Sequence, residues 1–278
     1  MRLKSETPKI CVCSPHFASQ AYYQRIRGIY KYVGSLVIPV DMQIRIINSQ
    51  NQLESFIDSL ADKTYDGVIF ISLSLTDEQV MKVKNTGTEC VLIENDSSCC
   101  TCVTYDNFEG GALAARYFLD HGYRDFGIVS EPFHWEYSVY TIHDRLMGFQ
   151  AGIGAAGLKI QKEHVYESKI DSVQVRKKFN TIFPAGDFPR AVFVPADMMA
   201  IGLIQAAHDC GLRVPEDVAV IGFDDVDFAG LMELTTVSQH LDESGELAVK
   251  ALLDKIRNPN LEDKRIDLKL TLVERKTV

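Results

Sequence analysis

Two adjacent carboxylates, Asp224 and Asp225, follow an apolar strand-like run at 218–221 and are candidates for ligand binding. Ligands of open α/β sheets bind beyond the carboxyl ends of the strands, where a carboxylate can accept hydrogen bonds from hydroxyl groups. The same side chains can instead cap the turn that follows the strand. Position alone supports both interpretations equally.

Three glycines, Gly152, Gly154 and Gly157, match the G-x-G-x-x-G spacing of a dinucleotide-binding loop. That loop must follow a strand and open a helix, so that phosphate meets the helix N-terminus. Here the glycines close a helical pattern that begins near Asp144, and glycine commonly follows the last turn of a helix. We therefore interpret the motif as a helix C-terminus and predict no cofactor.

Three of the seven cysteines form the cluster Cys99-Cys100-x-Cys102. Structural zinc sites usually contain two pairs of cysteines with two or more residues inside each pair, and this cluster lacks a second pair. An odd number of cysteines is also a poor basis for a disulfide framework. The sequence predicts reduced thiols without a metal or redox role.

His134, His143 and Asp144 lie close together in the sequence and could form a metal or acid–base site. They lack a further ligand at a recognisable spacing, so a solvated loop and helix start is the favoured interpretation. The chain also lacks the sequence patterns of a nucleophile elbow, a phosphate loop or a zinc protease. We predict that the protein is not an enzyme.

Length and composition are those of a globular protein with two domains or lobes: 278 residues, 46% hydrophobic and 24% charged. The formal net charge of −9 has the wrong sign for a chain that neutralises nucleic-acid phosphates. No apolar run approaches the roughly 20 residues of a membrane span. The N-terminal residues 1–8 lack the apolar core of a signal peptide, so we predict a cytoplasmic protein without a membrane partner.

Apolar strand-like runs alternate with helical patterns along the chain, which is typical of a parallel sheet with crossover helices. Asn107 and Asp197 are candidate N-caps, and no internal repeat of fixed period is visible. The fold class is therefore predicted to be α/β. The strand candidates are 9–13, 42–47, 67–71, 90–93, 126–129, 191–194 and 218–221. Helix candidates include 21–32, 52–60, 77–83, 108–121, 144–156, 173–182 and 197–210.

Several short motifs occur in a fixed order along nearly the whole chain. They are VTYDN at 103–107, DHGYR at 120–124, RLMGF at 145–149, the segment 191–239 with GFDD at 222–225 and LTTV at 234–237, and LVER at 272–275. Together they closely resemble the effector-binding region of LacI/GalR-family transcriptional regulators.

The resemblance implies a periplasmic-binding-protein-like fold of two Rossmann-like lobes joined by three hinge crossovers. We expect the crossovers near 122–125, 236–239 and 260–264. The first lobe would then contain 8–122 plus 240–262, and the second 123–239 plus 263–278. A helix-turn-helix DNA-binding domain, which family members carry before this region, is expected to be absent from this chain.

The family holds its effector with an arginine and an aspartate of the second lobe, which match Arg145 and Asp224. A guanidinium donates several hydrogen bonds and a carboxylate accepts from neighbouring hydroxyls, so the pair suits a polyhydroxylated ligand. A buried ion pair without a ligand role is the alternative. From the first lobe, Tyr22 and Tyr23 match an aromatic pair that packs against sugar rings in related proteins, although tyrosines at a helix start are more often packing residues.

Two further positions match the family less specifically. Asp106, at the end of its strand, matches an acidic position that can reach the ligand, and Ser72 follows the third strand at the same edge. Ala196 departs from the pattern, because the family often has a polar residue there and alanine cannot bond a hydroxyl. One expected ligand contact is therefore missing.

The segment 131–143 is unusually rich in aromatic residues and contains the single tryptophan of the chain. Trp135 and Tyr140 are candidates to cover a bound ligand, because binding residues often lie on loops. Packing of the same loop on the surface is the alternative.

The resemblance implies an effector-sensing and dimerising domain of a bacterial transcriptional regulator, with a sugar or sugar-like metabolite bound between the lobes. Operator DNA would be contacted only through the absent N-terminal domain, as a homodimer. A coupling of about 1–3 kcal/mol between effector and operator would change operator affinity roughly 5–150-fold. The alternative is a transport-associated periplasmic-type sugar-binding protein, against which the cysteines and the GFDD and LTT motifs argue.

Overall fold

A computed structural model describes residues 7–15, 20–131 and 140–278. Within these ranges the chain forms two compact units. Unit 1 contains the described residues up to Tyr105 together with Leu241–Leu268, and unit 2 contains those from Asp106 to His240 together with Lys269–Val278. No helix in the described ranges is long and apolar enough to cross a bilayer.

The helices and strands alternate along most of the chain. In chain order they are β1 (Lys9–Ser14), α1 (Gln20–Gly34), β2 (Asp41–Ile46), α2 (Gln50–Ser59), β3 (Gly67–Ile71), α3 (Asp77–Asn85), β4 (Glu89–Ile93), β5 (Thr101–Thr104), α4 (Asn107–Asp120), β6 (Phe126–Ser130), α5 (Thr141–Ala155), β7 (Val165–Glu167), α6 (Ser172–Ile182), β8 (Ala191–Phe193), α7 (Asp197–Asp209), β9 (Ala219–Asp224), α8 (Asp227–Leu231), β10 (Thr236–Ser238), α9 (Leu241–Arg257), β11 (Arg265–Asp267) and β12 (Thr271–Val273).

Unit 1 is built on a six-stranded sheet in the order β11-β5-β4-β3-β1-β2, and all its strand pairs are parallel. Its inner strands are almost wholly buried, as expected for a parallel sheet covered by helices on both faces. One core cluster on this sheet includes Cys11, Cys13, Cys90, Cys100 and Cys102. The cysteines therefore act as small apolar residues here.

Unit 2 repeats this plan with a sheet in the order β12-β10-β9-β8-β6-β7. Strand β6 takes the place of β1, β9 that of β4, and β10 that of β5. The pairs are parallel except that β12 runs antiparallel to β10, whereas β11 runs parallel to β5. The α/β class predicted from the sequence is confirmed, and the structure adds an internal duplication that the sequence did not show.

In each unit the helix after the first strand packs tightly on another helix: α1 on α9 in unit 1, and α5 on α4 in unit 2. Glycines make both contacts possible. A Cβ on Gly28 would lie 1.9 Å from the Asp242 backbone oxygen, and one on Gly148 would lie 1.8 Å from the Phe108 backbone oxygen. The partner helices also carry glycines at these contacts. A Cβ on Gly245 of α9 or on Gly111 of α4 would lie within 2.0 Å of the backbone oxygen of Arg25 or Arg145, respectively.

The two compact units divide the chain at other positions than the lobe bounds expected from the family resemblance, which stay a prediction. The first lobe was expected to run to residue 122, but the division falls after Tyr105 because α4 packs on α5 of unit 2. Its second segment was expected to end at 262, but unit 1 extends to Leu268 because β11 pairs with β5.

Candidate functional site

Arg145 and Asp224 form a buried ion pair at the carboxyl edge of the unit 2 sheet. Asp224 ends β9, and Arg145 lies in the second turn of α5, the helix that follows β6. The Arg145 Nη1 atom is 3.1 Å from Asp224 Oδ1, and their side chains are only 5% and 11% exposed. The sequence motifs predicted these two residues, and the structure joins them directly.

The Arg145 side chain is held by further contacts. Its Nε donates to Asn107 Oδ1 at 2.9 Å, and Nη1 donates to the Pro195 carbonyl at 2.8 Å. The guanidinium carbon lies 4.0 Å from the centre of the Phe223 ring, which is a cation–π distance. These contacts orient the guanidinium at the sheet edge, as precise ligand recognition requires.

The two adjacent acids at the end of β9 have different partners. Asp224 Oδ1 also accepts a hydrogen bond from Gln239 Nε2, whereas Asp225 Oδ1 accepts from Arg275 Nη2 at 2.7 Å. Both residues have positive φ, 120° for Asp224 and 60° for Asp225. Such a conformation is uncommon for residues other than glycine and is often found at functional sites.

Asp197 is a third acid near this edge and is completely buried. Its Oδ2 accepts from the Val226 backbone N–H at 2.9 Å and its Oδ1 accepts from Thr236 Oγ1 at 2.6 Å. Burial, reinforced by the negative charge of Asp224, raises the pKa of the Asp197 carboxyl well above its usual range. Asp197 was predicted to be an N-cap, but Ala196 occupies that position, so the Asp197 carboxylate instead connects α7 to the segment after β9.

The predicted tyrosines and serine of the first lobe lie in unit 1. Tyr22 and Tyr23 are both on α1; Tyr22 is half-buried, and Tyr23 is exposed with the Arg27 guanidinium carbon 6.0 Å from its ring centre. Ser72 is buried directly after β3, and its hydroxyl donates to the carboxylate of Glu94. Their role in ligand binding stays a prediction.

The remaining predicted residues are in unit 2 or outside the described ranges. Asp106, not Asn107, is the N-cap of α4, and its carboxylate accepts from the Glu109 backbone N–H at 2.8 Å. The Tyr140 ring is partly exposed and stacks on His143 at 5.4 Å between ring centres. Trp135 lies outside the described residues.

Several residues that shape these sites were not identified from the sequence. Asn107 and Gln239 bond directly to the Arg145–Asp224 pair. Asn107 is the last residue of the VTYDN motif, and Gln239 is the last residue of the segment 191–239. In unit 1, Arg25 and Glu94 form another buried ion pair, with 2.8 Å between Arg25 Nη2 and Glu94 Oε1. No motif marks either residue of that second pair.

The cysteine cluster is not arranged as a metal site: the described residues contain no group of three or more His, Cys, Asp or Glu side chains that could hold an ion. The Cys100 thiol and burial raise the pKa of Cys102 far above its usual range. The thiolate is the nucleophilic and metal-binding form, so the Cys102 thiol is held in its unreactive state.

Comparisons with known proteins agree with this architecture. Residues 115–278 match the model of the periplasmic binding protein-like domain family. The HTH-type transcriptional repressor PurR of Pasteurella multocida is 32% identical over 241 residues, which cover 84% of this chain and 71% of that protein.

Two solved structures share the fold. The transcriptional regulator CelR in complex with cellobiose has a TM-score of 0.79 at 23% identity, covering 97% of this chain and 84% of that one. A LacI family transcriptional regulator from Enterococcus faecalis V583 with bound ribose has a TM-score of 0.81 at 21% identity, covering 97% and 98%.

The duplicated α/β units with a buried polar edge thus define a ligand-binding domain of the periplasmic-binding-protein-like class. The chain belongs to the LacI/GalR family of transcriptional regulators.

Proposed function

We propose that this chain is the effector-sensing and dimerising domain of a transcriptional regulator and binds a sugar or sugar-like metabolite through Arg145 and Asp224. The observation that carries the proposal is the buried Arg145–Asp224 pair at the carboxyl edge of the unit 2 sheet. It is supported by a relative named as a transcriptional repressor and by structural neighbours that contain cellobiose and ribose.

The chemistry of the pair suits a ligand with neighbouring hydroxyl groups. The Asp224 carboxylate can accept two hydroxyl hydrogen bonds, and the planar Arg145 guanidinium can donate to ligand oxygens. Asn107 and the Pro195 carbonyl keep the guanidinium in place while a ligand binds. Because these donors and acceptors are already fixed, less side-chain conformational entropy is lost when the ligand binds.

Control of DNA binding would follow from linkage. If the effector prefers one conformation of the dimer, it shifts the equilibrium toward that conformation and changes the affinity of the attached DNA-binding domains by the same coupling free energy. The protein would act in the cytoplasm, where the operator is, and by binding instead of catalysis.

A thermal-shift screen tests the ligand class. The panel contains free sugars, polyols, sugar phosphates and nucleobases; a ligand at 100 times its dissociation constant adds about 2.7 kcal/mol of stability, which is several degrees in Tm. We expect a hit that disappears in Arg145→Ala and persists in Arg213→Ala, since Arg213 forms an exposed pair with Asp217 on the surface of the same unit. Unchanged affinity in Arg145→Ala would remove this residue from the site.

A further inference from the structure

The internal duplication places a buried arginine–carboxylate pair at the same position in both units. Arg25 lies in α1, which follows β1, and Glu94 comes directly after β4. Arg145 lies in α5, which follows β6, and Asp224 ends β9. Because β1 and β6 hold equivalent places in their sheets, as do β4 and β9, the two pairs are topological counterparts.

The two pairs also share local geometry. A glycine follows each arginine by three residues, Gly28 after Arg25 and Gly148 after Arg145, and lies at the tight helix contact of its unit. Each carboxylate residue has positive φ, 66° for Glu94 and 120° for Asp224. The correspondence therefore extends from the strand order to the backbone conformation of the acid.

Two side chains that carry hydroxyl groups, Ser72 and Tyr105, lie beside the Arg25–Glu94 pair. The Ser72 hydroxyl donates to Glu94, and the Arg25 guanidinium carbon lies 5.7 Å from the centre of the Tyr105 ring. The Tyr105 hydroxyl is buried and has no hydrogen-bond partner within the described ranges. A buried hydroxyl without a partner is destabilising, and a hydrogen bond from a ligand hydroxyl would remove that cost.

Stability alone does not account for the presence of this pair. The Arg25 and Glu94 side chains are 1% and 4% exposed, so both charges have lost their hydration. Replacing a buried ion pair by apolar residues is often neutral or stabilising, because desolvation offsets the attraction. In unit 2 the equivalent pair is the proposed ligand-binding pair, which suggests the same use in unit 1.

We propose that Arg25 and Glu94, together with Ser72 and Tyr105, form a second recognition site for an uncharged, polyhydroxylated group. The charges of the pair cancel, so the site has no net positive charge to balance a phosphate or carboxylate ligand. This inference rests on the proposed function and adds to it a unit 1 contact and the charge of the ligand.

The test uses the whole chain and calorimetric titration with uncharged probes, namely ribose, cellobiose and other neutral mono- and disaccharides, each compared with its phosphate ester. Tyr105→Phe keeps the ring and removes the hydroxyl, so we expect affinity for the neutral sugar to fall about 5-fold. The double variant Arg25→Met/Glu94→Gln removes both charges and should weaken binding by about 10-fold to 100-fold.

Stability measurements separate recognition from folding. Arg25→Met alone leaves a buried carboxylate uncompensated and should lower the Tm, whereas the double variant should restore it without restoring binding. Lys82→Met/Asp58→Asn, which removes an exposed pair of the same unit, serves as the control and should bind as the wild type does.

The outcomes show which of the two proposals fails. Wild-type affinity in both Tyr105→Phe and the double variant, with binding lost in Arg145→Ala, would overturn the unit 1 site and leave the proposed function standing. Tighter binding of a phosphate ester than of its parent sugar would overturn the charge assignment. Silence of the wild type across neutral sugars, esters, polyols and nucleobases would contradict both proposals.

Discussion

Units 1 and 2 share a backbone plan and differ in the side chains at the sheet edge. Both have the same strand order, a glycine contact on the helix after the first strand and a buried arginine–carboxylate pair. In unit 2, the side-chain amides of Asn107 and Gln239 form hydrogen bonds with Arg145 and Asp224. In unit 1, the pair bonds instead to the Ser72 hydroxyl.

The comparison separates what the fold determines from what it leaves open. Equivalent strands and helices bring an arginine and a carboxylate together in both units, because the helix after the first strand and the end of the fourth strand along the chain meet at the carboxyl edge of the sheet. The surrounding residue types are not determined in this way. If both pairs bind ligands as we propose, a few edge residues on a repeated scaffold set the chemistry of the ligand.

The largest effect is expected from breaking either pair. Arg25→Met and Arg145→Met should each lower the free energy of unfolding by about 3–5 kcal/mol, since each leaves an uncompensated buried carboxylate. Urea titrations followed by circular dichroism measure both, with Arg213→Met as the exposed control. A large loss in one unit and none in the other would show that the pairs are not energetically equivalent.

The sequence predicted the α/β class and seven strands, because apolar runs of four or more residues are visible without tertiary information. The three-residue strands β7, β10, β11 and β12 and the four-residue strand β5 were not among the predicted strands, whereas β8 was found because its three residues lie in the longer apolar run 191–194. A short strand without such a run has too little periodicity to recognise and is defined by pairing with its neighbour.

Of the two buried ion pairs, only the one whose residues lie in sequence motifs was predicted. Arg145 and Asp224 lie in motifs that can be recognised in the sequence, and the structure joins them. Arg25 and Glu94 lie far apart in the chain without a motif, and only the positions of α1 and β4 in the fold bring them together. The duplication was also hidden, since equal strand order does not require a repeating sequence.

The glycine contacts should give the next largest effect. Gly28→Ala and Gly148→Ala place a Cβ within 2.0 Å of a backbone oxygen on the partner helix, so the helices must move apart. We expect a loss of about 1–3 kcal/mol in each unit by urea titration.

The matched control is Gly154→Ala in α5, where no atom lies within 4 Å of the added Cβ. That substitution should stabilise the protein by about 0.5–1 kcal/mol, because alanine loses less conformational freedom in a helix. Equal stability of the Gly148→Ala and Gly154→Ala variants would refute the close-contact interpretation.

The smallest effect concerns a position where the units differ in chemistry. Glu131 follows β6, whereas its counterpart after β1 is Pro15, which does not titrate. Burial raises the pKa of the Glu131 carboxyl to about 6. The unfolded chain releases this proton near pH 4.3, so between these two values the folded state holds more protons.

The free energy of unfolding should therefore decrease as pH rises from about 4.3 through 6, because the ionised carboxylate is less well solvated in the fold. The side chain is partly exposed, so solvent screening should keep this loss below about 1 kcal/mol. Glu131→Gln should remove that part of the pH dependence in urea titrations at pH 4.5, 6 and 7.5, whereas Glu163→Gln at an exposed position should leave it. If the free energy of unfolding changes with pH in the same way in the wild type and in Glu131→Gln, other residues cause this part of the pH dependence.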